Sequence, residues 1–274
     1  MRILLDVNKS ANENAQLLFA KAKEAKRKKE AIEAAILEAE KKIRKLRTAE
    51  SFIVAPPEKK IAIRVAKEKQ WFERFRHFFT SDGLLVIAGR DAKQNELLFS
   101  KHFEDSDLFF HADVHGAPAL ILKGGKSASE KSLNEAAQFA ACYSSAWKAG
   151  FASADVYSAE KEQVKKHSHG EYVAKGGFMI YGQKKWFRNE DLKLIIAETK
   201  EGSKGGFLRA FPANYDFSKS KTEIVSKVSI VPADSEKREV ARRILEILKV
   251  PNELKNEKFE ELMLLIPGNS EIIS

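Results

Sequence analysis

Cysteine is almost absent from this chain. The single thiol, Cys142, rules out a disulfide framework and any cysteine-based zinc site. No apolar run reaches the roughly 18 to 20 residues that a membrane span needs. The opening MRILLDVNKS turns polar too soon for a secretory signal. G-x-S-x-G, the P-loop, the dinucleotide fingerprint and H-E-x-x-H are all missing, so the common hydrolase, nucleotide and zinc-protease chemistries have no foothold. These absences point to a reducing, cytoplasmic setting, no membrane, no cofactor, and a binding protein rather than an enzyme.

What is present is positive charge, unevenly spread. The 274 residues carry a formal net charge of +9, which suggests an acidic partner. Residues 1–80 hold 20 Lys and Arg against 11 Asp and Glu, a balance of +9, while the remaining 194 residues hold 28 of each. Affinity driven by counterion release should therefore come from the N-terminal part.

That part reads as helical. Ala11, Ala15, Leu18, Ala22, Ala25, Lys29, Ile32, Ile36, Ala39, Ile43 and Leu46 repeat at alternating spacings of four and three, a coiled-coil seam. Ser10 with Glu13 forms a capping box, and Pro56-Pro57 ends the pattern. A second stripe, Ile61, Val65, Glu68, Phe72, Phe75 and Phe79, predicts a return helix and an antiparallel hairpin over 1–80. Part of the longer first seam would then need a partner from another chain or domain. Off the seam lie KAKEAKRKKE (21–30) and KKIRKLR (41–47). Their charges are either a solvated helix face or an RNA-binding surface. On the second reading Lys26, Arg27, Lys28, Lys29, Arg44 and Lys45 meet phosphate.

After residue 80 the pattern changes to short apolar runs. Strands are expected at 84–89, 107–114, 119–123, 153–159, 176–182 and 192–198, with a helix over 127–149. AKQNELLFSKHF (92–103) fits either a short helix or a polar-edged strand. A glycine-rich loop (202–206) sets off a third region with a strand at 222–231, an amphipathic helix at 235–248 and a final strand at 261–267. The fold class is α+β: a helical hairpin, a mixed α/β domain over 81–200, and a small α/β extension over 201–274.

Within this frame FFHADVHGAP (109–118) carries the most chemistry. On a strand, Leu108, Phe110, Ala112 and Val114 share the core face. Phe109, His111, Asp113 and His115 share the other. The polar three could hold a metal in an open site, and with it support a metal-dependent enzyme. They could equally contact RNA or phosphate, or be a hydrogen-bonded structural group. In GRDAKQNE (89–96), Arg90 with Asn95 could grip phosphate, or Arg90 and Asp91 could order a turn. Lys165 and Lys166 belong to a basic loop over 161–173. Trp71, Trp147 and Trp186 read as packing residues rather than base-stacking platforms.

One resemblance joins these pieces. QWFERFRHFFTSDGLLVIAGRDAKQNELL resembles the opening of the NFACT-R domain, and DLFFHADVHGAP resembles that family's D-I-Y-V-H-A-D-x-H-G-A segment. The run from LNEAAQFAACYSSAW to GGFMIYGQKKWF follows its later half in order and spacing. Residues 10–50 look like the start of the family's coiled coil, and 201–274 look like the C-terminal extension of archaeal-type members. The resemblance implies a part in ribosome-associated quality control: binding the obstructed large ribosomal subunit and its tRNA, and supporting rescue and C-terminal tailing of stalled chains. The family's N-terminal lobe has no counterpart here, and the residues tied to tailing lie in it. The resemblance therefore carries over no catalytic residue: the chain is either a fragment or split subunit, for which a separate lobe would be a partner, or a protein that only binds. The loop EQVKKHSHG also departs from the family's E-Q-V-S-K-x-A-P-x-G, losing its proline.

Overall fold

The structure is a computed structural model that describes residues 10–50, 70–166, 176–200, 207–220 and 222–273. It divides into two compact units, residues 1–67 and 68–274.

The described part of the first unit is one helix, α1 (Ala11–Glu50), 40 residues long. At 1.5 Å per residue it extends about 60 Å. Lys26, Lys28, Lys29, Ile32 and Ile36 on it are exposed. The expected return helix starts in residues 51–69, which lie outside the described residues. Its second half is corrected. Trp71–Arg74 is a single 3-10 turn and Arg76–Phe79 is a strand, β1. The four-three spacing of Phe72, Phe75 and Phe79 is therefore not a helix stripe. Phe75 is fully buried in the second unit's own core, and so is Phe78, which the helical pattern leaves out.

The second unit alternates strands and helices. They are β2 (Leu85–Ala88), α2 (Ala92–Lys101), β3 (Leu108–Ala112), β4 (Leu120–Leu122), α3 (Glu130–Cys142), α4 (Ser145–Lys148), β5 (Ser153–Glu160), β6 (Val164–Lys165), β7 (Met179–Ile180), β8 (Lys185–Asp191) and β9 (Leu194–Thr199). Then come β10 (Phe207–Pro212), β11 (Ile224–Pro232), α5 (Lys237–Ile247), α6 (Lys255–Leu265) and β12 (Ser270–Ile273). A six-stranded sheet runs β1-β2-β4-β3-β5-β8, and a four-stranded sheet runs β10-β9-β11-β12. β6 and β7 form a separate ribbon. Every pairing among the described residues is antiparallel.

The helix α3 explains how the two sheets join. Ala136, Ala137, Phe139, Ala140, Ala141 and Cys142 are all buried, so it is covered on nearly every side, as a helix between two sheets must be. It packs on β3, β4, β5 and β8 of one sheet and on β10 of the other. Its small side chains allow that double approach. Its polar ones stitch loops: Gln138 donates to the Asp191 carbonyl at 3.1 Å and accepts from Asn214 N at 2.8 Å. The buried Glu135 accepts from Ser81 N at 2.8 Å. Sequence reading extends this helix from 127 to 149, but it breaks after Cys142, where Ser144 caps the short α4.

The expected boundary near residue 200 falls between β9 and β10, which pair along their whole lengths. The one near residue 80 falls between β1 and β2, also paired. ELMLLIP, expected as a strand, is corrected to the end of α6. Its apolar residues work at helical spacing, with Leu262 and Ile266 buried four positions apart. AKQNELLFSK is a helix, with Asp91 capping it by accepting from Gln94 N at 2.9 Å. β8, β10 and β12 were not legible as strands; β8 is too charged and β12 too short to show a pattern.

The six-stranded sheet buries both faces at its middle. Phe110 and Ala112 join the larger core under α3, while Phe109 joins a second core with Phe75, Ile87, Leu98 and Phe103. The expectation that the Phe109 face of β3 is displayed to solvent is thus corrected. That face is covered over part of its area by α2 and the 71–75 turn.

Candidate nucleic-acid interface

Where that cover stops, a cleft of about 510 Å³ opens. Arg76 of β1, Arg90 before α2, Asn95 of α2, His111 of β3, His115 of the following turn and Lys148 of α4 line it, with Tyr143, Tyr157 and Phe178. The walls come from residues far apart in sequence, which the six-stranded sheet brings to one place.

Two arginines set its character. Arg76 donates through Nη1 to the Gly89 carbonyl at 2.9 Å, and its guanidinium lies 4.7 Å over the Tyr143 ring. Arg90 reaches the Phe75 carbonyl with Nη2 at 3.5 Å. The Nε of each is buried and without a hydrogen-bond partner. Burial draws both guanidinium groups below their ordinary value, yet arginine keeps its charge at any physiological pH. Lys237, at the start of α5, is pushed down to about 8 by burial and by Arg76 and Lys148. Arg76 thus senses Arg90, and Lys237, which does not itself line the cleft, senses Arg76 and Lys148. None of them joins an ion pair among the described residues. Among the described residues Asp91, which also caps α2, is the carboxylate that acts on Arg76. Like charges gathered without counterions are costly to assemble, and an anion in the cleft would relieve that cost.

His111 supplies the opposite polarity. Nδ1 lies 3.0 Å from the Pro118 carbonyl, so it carries the proton and leaves Nε2 as an acceptor. Burial lowers its pKa, which keeps the ring neutral at pH 7. Asn95 is held from behind, its Oδ1 accepting from the buried Ala119 N at 3.2 Å.

Two glycines let these walls close in. A Cβ on Gly89 would stand 2.0 Å from Asn95 Oδ1 and 2.9 Å from Asn95 N. Gly176 has φ +81°, and a Cβ there would stand 2.6 Å from the Ala92 Cα. Gly89→Ala should therefore push Asn95 off Ala119 and destabilise the fold by roughly 1–3 kcal/mol. Thermal unfolding checks this, and an unchanged midpoint would contradict the close approach.

Of the residues singled out by sequence, Arg90, Asn95, His111 and His115 come together in this cleft. Asp113 does not line it: β3 ends at Ala112, so strand alternation stops before Asp113, which is exposed. The metal reading is corrected by the same break, since among the described residues no three His, Cys, Asp or Glu side chains could hold an ion. Lys165 and Lys166 line a separate recess that also contains Asp105 and Glu162, and Lys166 lies 3.8 Å from Glu96. Lys26, Arg27, Lys28, Lys29, Arg44 and Lys45 belong to the other unit. Arg76, Tyr143 and Lys148 were missed, because each stood inside an expected helix with no pattern to mark it.

Residues 74–182, which hold the strands, α2 and α3 around the cleft, match the family described as NFACT protein RNA binding domain. They are an NFACT-R domain. The archaeal Rqc2 homolog aRqcH of Methanocaldococcus jannaschii is 34% identical to this chain over 212 residues, covering 77% of the chain and 30% of that protein. The ribosome quality control complex subunit NEMF of Mus musculus is 34% identical over 165 residues, 60% of the chain and 15% of the relative. The chain therefore spans less than a third of the length of these relatives. The C-terminal part of a fibronectin/fibrinogen-binding protein from Streptococcus suis aligns with 66% of this chain and 76% of its own, at 19% identity and a TM-score of 0.38. All the cleft residues singled out by sequence lie within the NFACT-R domain, and so do Arg76, Tyr143 and Lys148.

Proposed function

We propose that this chain is an RNA-binding component of ribosome-associated quality control. It binds the obstructed large ribosomal subunit, its tRNA, or both, and supports rescue and C-terminal tailing without itself catalysing a reaction. The observation that carries the reading is the set of cleft cations left without carboxylate partners inside an NFACT-R domain. Such a set suits phosphate. The relatives named for ribosome quality control support the cellular setting. Their unmatched length leaves room for a separate N-terminal lobe as a working partner.

The basic helix α1 is proposed to add salt-dependent affinity. Lys29 stands 3.6 Å from Glu33, but an exposed pair of that kind contributes little, so it remains available to phosphate. Reversing Lys26, Arg27, Lys28 and Lys29 to Glu should weaken binding to large subunits and flatten its salt dependence. For every phosphate no longer neutralised, the log–log slope falls by about 0.7 to 0.9. Co-sedimentation with purified large subunits over a salt series is the test. Unchanged affinity and slope would remove α1 from the binding surface.

A further inference from the structure

The second face of the six-stranded sheet carries a row of rings across three neighbouring strands. His111 on β3 pairs in register with Tyr157 on β5, and Tyr157 with Trp186 on β8. The rings follow the backbone register. His111 and Tyr157 centroids are 5.9 Å apart, and Tyr157 and Trp186 are 5.4 Å apart. β8 is the last strand of the sheet among the described residues, so the row leads from the cleft to an edge strand.

Cations accompany the row. Lys184 Nζ sits 4.0 Å from the Tyr157 centroid and 5.6 Å from that of Trp186. The Arg188 guanidinium lies 4.0 Å over Trp186. Arg188 also bonds Asp155 at 2.5 Å, whereas Lys184 makes no ion pair among the described residues. Trp186 is half-buried rather than enclosed, unlike Trp147 in the core. The sequence-level view of Trp186 as simple packing does not account for its place in this row.

We infer that Trp186, with Lys184 and Arg188 beside it and the buried Tyr157 and half-buried His111 behind it, is a platform for single-stranded RNA, one unpaired nucleotide of which enters the Arg76–Arg90 cleft. This rests on the RNA-binding reading above and narrows it to unpaired strands. Three physical points lead there. A recess of about 510 Å³ is in the range of small-ligand pockets, far too small for a duplex. Unstacked bases are read by aromatic faces and by hydrogen-bonding groups that a helix would hide. Rings interleaved with cations also match what a strand offers, a base and a phosphate at each step. The cleft then meets the phosphate with Arg76 and Arg90, and offers the neutral acceptor of His111 to a base edge.

Fluorescence anisotropy on the whole chain tests this, with a short labelled oligoadenylate, a blunt RNA duplex of equal length, and free AMP as competitor. The single strand should bind tighter than the duplex, and AMP should compete weakly. Trp186→Ala should lower single-strand affinity by roughly 5- to 150-fold, the ratio given by 1–3 kcal/mol for one stacked base, and leave duplex affinity unchanged. Trp186→Phe, which keeps a ring, should recover most of the loss. Equal losses for both RNAs, no loss for either, or AMP competing as well as the oligonucleotide would overturn the platform. In those cases RNA binding that still depends on Arg76 and Arg90 would leave the broader reading standing. Failure of every RNA to bind would end both.

Discussion

Replacing Arg76 and Arg90 together by alanine will cost the protein roughly 150-fold or more in RNA affinity and make its salt slope shallower by about 1.4 to 1.8. Each arginine is taken to hold one phosphate. A hydrogen bond to a charged group contributes about 1.5–3 kcal/mol, and each phosphate that goes unneutralised removes about 0.7 to 0.9 of slope. Lysine at both positions should restore the slope but only part of the affinity, because an ammonium keeps the charge and loses the planar fork. Arg76 also packs on Tyr143 and bonds the Gly89 carbonyl, so a thermal melt must accompany the titration. An alanine variant that melts like the parent and binds RNA equally well would refute the cleft as a phosphate site.

A chain ended at Lys200 will not fold cooperatively. β9 is flanked by β10 on one side and β11 on the other, and the cut removes both. Leu194 and Ile196, now fully buried, would be left with only one layer beneath them. Tyr143 would lose its bond to the Leu265 carbonyl at 2.6 Å, and Trp147 Nε1 its bonds to the Asn269 carbonyl at 3.1 Å and Ser270 Oγ at 3.2 Å. Stripping one wall from side chains of that size is equivalent to several large core deletions at ~3–5 kcal/mol each, which exceeds a typical domain's total stability of about 5–15 kcal/mol. Circular dichroism should show secondary structure without a sharp melt. A cooperative transition in that fragment would mean that residues 201–274 are an independent extension after all.

Both outcomes turn on features of unequal visibility in the residues alone. α1, α5 and most strands of the six-stranded sheet were legible, because hydrophobic period is a local property and those segments are long or strongly patterned. Arg90, Asn95 and His111 stood out because polar residues next to strand ends are visible in one dimension. Arg76 was not, since Phe72, Phe75 and Phe79 imitate a helix stripe while the first two answer to one sheet core and the third to the surface. Nor could sequence show that β3 is covered on both faces, because period-two alternation reports that faces differ and not what lies against each. β9 and β10 pair as neighbours in sequence on either side of the glycine-rich stretch 202–206, and such a stretch reads as a boundary until the strands flanking it are seen to pair. Trp186 is the sharpest instance: as a letter it is one of three tryptophans, and only the register with Tyr157 and His111 gives it a direction.

The edge strand β8 has one more consequence. An exposed edge strand invites another chain to add on, which is how soluble sheets begin to aggregate. Here Lys185, Arg188, Glu190 and Asp191 place charges of both signs along the strand, and Asn189 turns into the left-handed region at φ 53°. A second strand arriving in register would have to desolvate those charges and follow that kink. That edge is therefore poorly suited to pairing with another β-strand.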